Sequence, residues 1–244
     1  MKKVITLVGI GPGKLEMMTE EAVEALTACD VIVGYTVYVE LLKDSFPDKA
    51  FKTTPMRQEI ERCRMCFSLA NEGKSVCMVC SGDAGVYGMA APMYALLPEY
   101  EDVELVVVPG ITAANSGAAL LGAPLNHDYC VISLSDLLTP WSVIEKRLRA
   151  AVEGDFAIAI YNPGSKKRFD YLMRACDILL DAGAKKERAC GYVESIGRQG
   201  TQTHVCTLAE LRECQVNMFT TVFIGNSQSY LQDGKIITRR GYVV

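Results

Sequence analysis

The sequence lacks the features that mark two broad classes of binding protein. It has no excess of basic charge, because 25 Lys and Arg residues stand against 29 Asp and Glu residues and leave a formal net charge of -4. Proteins that bind nucleic acids or membrane surfaces rely on a positive field. No apolar run approaches the roughly 20 residues that a membrane-spanning helix needs. The composition therefore argues against both classes, and any positive charge that meets an anionic ligand must be local.

We expect no secretory leader. Two lysines and a short apolar run open the chain, but the run breaks at residues 11–14 and no small-residue cleavage site follows. Without a secretory context, the ten cysteines are expected to be reduced thiols that serve as small apolar residues, not a disulfide framework. We therefore expect a cytoplasmic protein.

Four of the cysteines form two CxxC pairs, Cys63 with Cys66 and Cys77 with Cys80. Structural zinc needs four ligands that converge on one point. The first pair lies in a helical pattern and could share a face, but the second lies in an apparent strand, where residues three apart point to opposite faces. A redox pair is expected at a helix N-terminus and not in mid-strand. The pattern favours buried thiols and no metal site, and it leaves a zinc-stabilised binding protein as an alternative.

Apolar runs of strand length alternate with stretches of helical period along most of the chain. This alternation predicts an α/β fold with mainly parallel strands. The alternation is interrupted at residues 109–117 and then resumes with a different residue pattern. We predict two α/β domains, residues 1–110 and residues 111–244, with a single large domain as the alternative.

Three glycine loops each follow an apparent strand. The first, residues 9–14, resembles a dinucleotide-binding fingerprint, but its glycines stand at positions 9, 11 and 13 and not in the GxGxxG spacing. Pro12 removes a backbone N–H that a pyrophosphate would use, and no acidic residue ends the second strand to hold a ribose. An NAD-dependent oxidoreductase is therefore kept only as an alternative.

The other two loops offer a different chemistry. The second, residues 81–88, places Asp83 among glycines, which favours a ligand with hydroxyl or cationic groups over a phosphate. The third, residues 109–115, offers small side chains and the Thr112 hydroxyl. Ligands of open parallel sheets collect at the C-terminal ends of the strands. We therefore expect the three loops to line one crevice.

Five segments, in a fixed order and over nearly the whole chain, are together typical of one family. They are VGIGPGKLEMMTEEA, SGDAGVYG, PGITAAN, FAIAIYNP and TTVFIG, at residues 8–22, 81–88, 109–115, 156–163 and 220–225. With them the chain resembles the tetrapyrrole methylases, the S-adenosylmethionine-dependent enzymes of corrin and sirohaem synthesis. Five further segments resemble the members that methylate carbon 17 of precorrin-3B or cobalt-factor III, namely residues 127–148, 161–168, 197–200, 218–227 and 238–242.

The resemblance implies a fold, a reaction and a cofactor. The fold would be two α/β domains with a cofactor trough between them, usually in a homodimer. The reaction would be methyl transfer from S-adenosylmethionine to carbon 17 of the macrocycle, coupled to ring contraction, in cobalamin synthesis. Another methyltransferase of the same pathway is the alternative within the family.

The resemblance also carries cofactor-binding residues over by position. They would be Pro12 in the first loop, Gly82, Asp83 and Val86 in the second, Thr112 and Ala113 in the third, and Asn162 and Thr221 in the second domain.

Substrate and catalytic residues are predicted from the chemistry that the resemblance implies. The macrocycle carries several carboxylates, so an acidic protein needs a local basic rim, for which the candidates are Arg57, Lys166, Arg168 and Arg198. Ring contraction needs proton transfers, so an acid or base should lie nearby. Candidates from the segment with the carbon-17 resemblance are Asp136, Thr139 and His127.

Overall fold

The chain divides into two compact units, Met1–Thr112 and Ala113–Val244. The computed structural model describes residues 3–165 and 167–242. Each unit contains a five-stranded sheet with helices on it, and the second unit also contains a small three-stranded sheet. The α/β class predicted from the sequence is confirmed.

The first unit is built on a parallel sheet. Its strands are β1 (Lys3–Gly9), β2 (Val31–Tyr35), β3 (Ala50–Thr54), β4 (Val76–Cys80) and β5 (Val103–Val108), and its helices are α1 (Glu20–Ala28), α2 (Thr36–Glu40), α3 (Glu59–Asn71) and α4 (Ala90–Leu96). The strand order is β3-β2-β4-β1-β5, and every described pairing in this sheet is parallel. All five strands therefore end at the same edge.

Helices cover both faces of this sheet. Successive side chains along an inner strand point to opposite faces, and each face packs into its own hydrophobic core. On β4, Met78 and Cys80 pack with α3 and α4, whereas Cys77 and Val79 pack with α1 and α2. Thr19 caps α1, since its hydroxyl accepts a 3.1 Å hydrogen bond from the Ala22 N–H. Strands buried on both faces are typical of parallel sheets.

The second unit is built on a mixed sheet. Its strands are β6 (Gly122–Ala123), β7 (Tyr129–Ser133), β8 (Ala157–Tyr161), β9 (Ala189–Glu194), β10 (Gln202–Thr207), β11 (Thr220–Ile224), β12 (Ser229–Gln232) and β13 (Lys235–Thr238), and its helices are α5 (Ala113–Leu121), α6 (Trp141–Glu153), α7 (Tyr171–Asp181) and α8 (Leu208–Arg212). The five-stranded sheet has the order β10-β9-β11-β8-β7, and β12, β13 and β6 form the small sheet.

The prediction of mainly parallel sheets needs a correction in this unit. β7, β8 and β9 run in one direction, as their connections through α6 and α7 require. The chain then returns through residues 195–201 without a helix, so β10 pairs with β9 in the antiparallel sense. β11 inserts between β8 and β9 and is antiparallel to both. Periodicity alone identifies an apolar strand such as β11, but it does not give its direction.

In the described parts of the chain, no helix is both long and apolar enough to span a membrane.

Helix α5 was not predicted, because Asn115, Ser116 and Gly117 give its middle the composition of a loop. The structure explains the glycine. A Cβ at Gly117 would lie 2.7 Å from a ring carbon of Phe223 and 2.9 Å from a methyl carbon of Ile196. The helix lies so close to β9 and β11 that only glycine fits at this position, and tertiary packing outweighs helix propensity.

We expect Gly117→Val to lower the free energy of unfolding by about 1–2 kcal/mol, because overpacking displaces Phe223 and Ile196. Ala119→Val, at an exposed position of the same helix, should change it by no more than about 0.5 kcal/mol. Urea denaturation of both variants measures the difference. Equal effects would contradict the close packing of α5.

Candidate functional site

Three loops leave the C-terminal edge of the first sheet side by side. They follow β4, β1 and β5, which are neighbours in the sheet. The first loop follows β1, the second follows β4 as residues 81–88, and the third follows β5 as residues 109–112. The parallel topology therefore brings together the three loops that the sequence singled out, within one unit of the chain.

Backbone contacts join these loops. The Gly11 N–H donates to the Gly82 carbonyl at 3.0 Å, and the Gly82 N–H donates back to the Gly11 carbonyl at 2.7 Å. A Cβ at Gly9 would lie 2.6 Å from the Gly110 nitrogen and 2.8 Å from the Gly82 oxygen. The glycines are thus needed where backbone packs on backbone.

Asp83 links the second loop to the third. Its Oδ2 accepts a 3.0 Å hydrogen bond from the Gly110 N–H, and its Oδ1 accepts a 2.7 Å hydrogen bond from the Gly85 N–H. The carboxylate is half-buried, whereas Gly85 and Tyr87 beyond it are exposed. Asp83 therefore holds the loops in place, and it retains acceptor capacity for a ligand.

Arg62 also lies near this edge, and no sequence motif marks it. Its guanidinium donates to the Pro55 carbonyl at 3.2 Å, lies 3.7 Å from the Met89 sulfur and sits 5.9 Å from the centre of the Tyr35 ring. The residue is only 4% exposed, and Arg62 Nε has no hydrogen-bond partner. An arginine inside a helix is normally solvated, so only the packing reveals this one as a buried cation.

The four cysteines of the two CxxC pairs are buried, as predicted. Cys63, Cys66 and Cys80 belong to the core under α3, whereas Cys77 lies on the opposite face of the sheet beside Cys29. Burial raises the pKa of the Cys63 and Cys80 thiols to about 11, so both stay protonated at neutral pH. Among the residues that the structure describes, no group of three or more His, Cys, Asp or Glu side chains is arranged to hold a metal.

In the second unit, polar residues gather where β8 ends and β11 begins. Asn162 follows β8 with a φ of 53° and donates a 2.9 Å hydrogen bond to Ser133 Oγ. Tyr161 accepts a 2.8 Å hydrogen bond from the Ala114 N–H, which places the first turn of α5 beside it. Thr221, on β11 next to Val222, is buried at the same edge, since Val222 pairs with Ile160.

Asp136 and Arg168 lie in a cluster close to this edge. Arg168 Nη1 donates to Ser135 Oγ at 2.9 Å and lies 3.7 Å from Asp136 Oδ1. The Tyr171 hydroxyl donates a 2.6 Å hydrogen bond to Asp136 Oδ2. This cluster can accept hydrogen bonds through Asp136 and bind carboxylates through Arg168.

Comparison with known sequences assigns the chain to a family. The sequence pattern of the tetrapyrrole (corrin/porphyrin) methylases matches residues 4–212, which is most of the chain. The chain belongs to the tetrapyrrole methylase family. The resemblance inferred from the five segments is thereby confirmed.

Two relatives in this family match over almost their whole length. A Salmonella typhimurium protein named probable cobalt-factor III C(17)-methyltransferase is 47% identical over 242 residues, which are 99% of this chain and 100% of the relative. The crystal structure of the methyltransferase CobJ aligns with a TM-score of 0.88 and 36% identity, and the alignment covers 96% of this chain and 99% of CobJ.

A more distant family fold is the uroporphyrin-III C-methyl transferase from Thermus thermophilus, solved in complex with S-adenyl homocysteine. It aligns with a TM-score of 0.73 over 91% of this chain and 96% of its own, at 20% identity. At this identity the likeness concerns the fold.

The methylase residues predicted to bind the cofactor fall into two local groups. Pro12 is buried, and Val86 and Thr112 are half-buried, all on the loops of the first unit with Gly82 and Asp83. Ala113, Asn162 and Thr221 belong to the second group, around the end of β8. Each group is brought together by strand pairing within its own unit.

The predicted substrate and catalytic residues are more scattered. Arg57 is exposed after β3, which β2 separates from β4. Arg198 follows β9 and lies 5.4 Å from the centre of the Phe219 ring. Lys166 falls outside the described residues. His127 precedes β7, whereas Asp136 and the half-buried Thr139 follow it, so His127 lies at the opposite edge of the sheet.

We expect Gly110→Ala to weaken binding of S-adenosylhomocysteine at least tenfold. The new Cβ would lie 2.5 Å from the Gly9 carbonyl, so the first and third loops must separate. Isothermal titration calorimetry measures the affinity.

Gly73→Ala is the matched control, since it adds the same methyl group where nothing lies within 4 Å, at the far end of α3. Its φ of 84° costs folding stability without touching the loops. If both variants weaken binding equally, loop contact does not govern affinity.

Proposed function

We propose that this methylase transfers a methyl group from S-adenosylmethionine to carbon 17 of a cobalt-factor III or precorrin-3B type macrocycle, with coupled ring contraction, in cobalamin synthesis. The observation that carries the proposal is the 47% identity to the Salmonella relative over 99% of one chain and 100% of the other. The alignment with CobJ at a TM-score of 0.88 supports it.

The loops of the first unit offer polar and apolar groups that could bind an S-adenosyl group. Asp83 combines acceptor oxygens with a half-buried position, and the exposed glycine backbone at Gly85 admits a close ligand. Val86 adds a partly exposed apolar surface for a purine or a thioether stem. Hydroxyl, amino and apolar groups of the donor would all find partners there.

The donor's sulfonium supplies an electrophilic methyl group when it is bound, so the protein needs no strong nucleophile. The task of this chain is to hold the donor and the macrocycle in line. Alignment of two reactants can contribute about 7–11 kcal/mol to lowering a barrier. The joined glycine loops provide a rigid support for the donor, and Arg168 with Arg198 offers guanidinium groups for the carboxylates of the macrocycle.

The purified protein should methylate cobalt-factor III or precorrin-3B under anaerobic conditions. Mass spectrometry should find one added methyl group, and carbon-13 NMR with a labelled donor should place it on carbon 17. Metal-free and cobalt-loaded macrocycles, tested separately, identify the natural substrate. Methylation at another carbon would favour a different enzyme of the pathway. Tight binding of NAD without any heat from S-adenosylhomocysteine would instead support an oxidoreductase.

We also propose that two copies associate, as the resemblance to the family implies. β5 is an edge strand of the first sheet, and its Val106 and Val107 are 38% and 37% exposed. Apolar side chains on an open sheet edge are a common surface for pairing. A cytoplasmic location stays a prediction, in keeping with ten cysteines that are all free thiols.

Light scattering after size exclusion should give twice the 26.7 kDa mass of one chain. Val106→Asp should shift the protein toward the single-chain mass, whereas Val143→Asp, at a similarly exposed valine of α6, should not. A single-chain mass for the unmodified protein would contradict the association.

A further inference from the structure

Tyr171 occupies a central place in the cluster of the second unit, although no sequence motif marks it. It is the first residue of α7, and its hydroxyl donates the 2.6 Å hydrogen bond to Asp136 Oδ2. The other carboxylate oxygen, Oδ1, lies 3.7 Å from Arg168 Nη1. Asp136 is therefore held from two sides, by a neutral donor and by a cation.

The ring of Tyr171 is itself fixed. Trp141 packs against it edge to face, with ring centres 4.8 Å apart and an angle of 62° between the planes. The Arg174 guanidinium lies 4.0 Å from the centre of the Trp141 ring and 5.2 Å from that of Tyr171. These contacts hold the hydroxyl in one direction, and they give the only tryptophan of the chain a function in this support.

Apolar side chains next to this cluster are uncovered in the single chain. Leu137 and Leu138, which follow Asp136, are 61% and 97% exposed, and Phe169, which follows Arg168, is 71% exposed. Exposed apolar patches rimmed by polar groups can mark ligand-binding surfaces. A tetrapyrrole, with its flat apolar ring and its carboxylates, offers both kinds of partner.

We propose that Tyr171 is a positioning residue, which holds the Asp136 carboxylate as an acceptor toward the macrocycle, in the subsite that Leu137, Leu138 and Phe169 border. The inference rests on the proposed function. In ring contraction, a proton that leaves the macrocycle would bind to Asp136 Oδ1, and its electron pair would stay in the ring. The bond to Asp136 raises the pKa of the Tyr171 hydroxyl, so Tyr171 remains a hydrogen-bond donor at neutral pH.

Tyr171→Phe removes only the hydroxyl and keeps the ring on Trp141 and Arg174. We expect the kcat for the ring-contracted product to fall at least tenfold, while KM for the macrocycle and the affinity for S-adenosylhomocysteine change less than twofold. Tyr129→Phe is the matched control. Tyr129 is the first residue of β7, and its hydroxyl donates a 3.4 Å hydrogen bond to Asn115. Removal of this hydroxyl should leave kcat unchanged.

A double-mutant cycle tests whether Tyr171 acts through Asp136. If it does, Tyr171→Phe should cost little more activity once Asp136→Asn is present. Fully additive losses, or a Tyr171→Phe variant with unchanged kcat, would overturn the proposal. A thermal midpoint equal to that of the unmodified protein excludes a general loss of structure as the cause of a lower kcat.

The activity of the unmodified protein distinguishes a failure of this inference from a failure of the proposed function on which it rests. If it methylates no tetrapyrrole, the proposed function fails. If it forms the ring-contracted product and the Tyr171→Phe variant forms it equally fast, only the role of Tyr171 fails.

Discussion

Backbone contact between three loops is the constraint on which the first unit's site depends. Gly9, Gly82 and Gly110 approach so closely that no side chain fits between them. The approach is possible because β4, β1 and β5 are parallel neighbours, whose C-terminal ends meet at one edge. Asp83 then fixes the spacing through the Gly110 and Gly85 amides. A parallel sheet and three glycines thus form a rigid edge from segments far apart in the sequence.

The second unit reaches a comparable result by another route. Its parallel strands β7, β8 and β9 end at one edge, and β11 enters from that edge in the opposite direction. Residues that follow the first three strands therefore meet residues that begin the fourth. Asn162 and Thr221 become neighbours in this way, and Asp136 lies where β7 ends. The antiparallel insertion is thus what completes the edge.

Much of the fold could be predicted because buried strands and helices contain apolar residues in short runs or at regular spacing, and these patterns are visible in the sequence. β2, β5 and β9 coincide with runs of mainly apolar residues, and Thr19, a residue type common at helix N-caps, caps α1. The failures have physical causes. β3 has one buried residue, Thr54, so it shows no apolar run. α5 contains a glycine that close packing requires, and its composition imitates a loop.

The sequence by itself determined the α/β class, the family, the glycine loops and the burial of the paired cysteines. Each of these depends on residue types and spacings within a short stretch. Only the tertiary structure decided that Cys77 and Cys80 lie in different cores, that Arg62 is a buried cation, and that Tyr171 holds Asp136 while His127 lies at the far edge. These facts depend on which distant segments pair, and strand order and direction are properties of the whole chain that no local pattern contains.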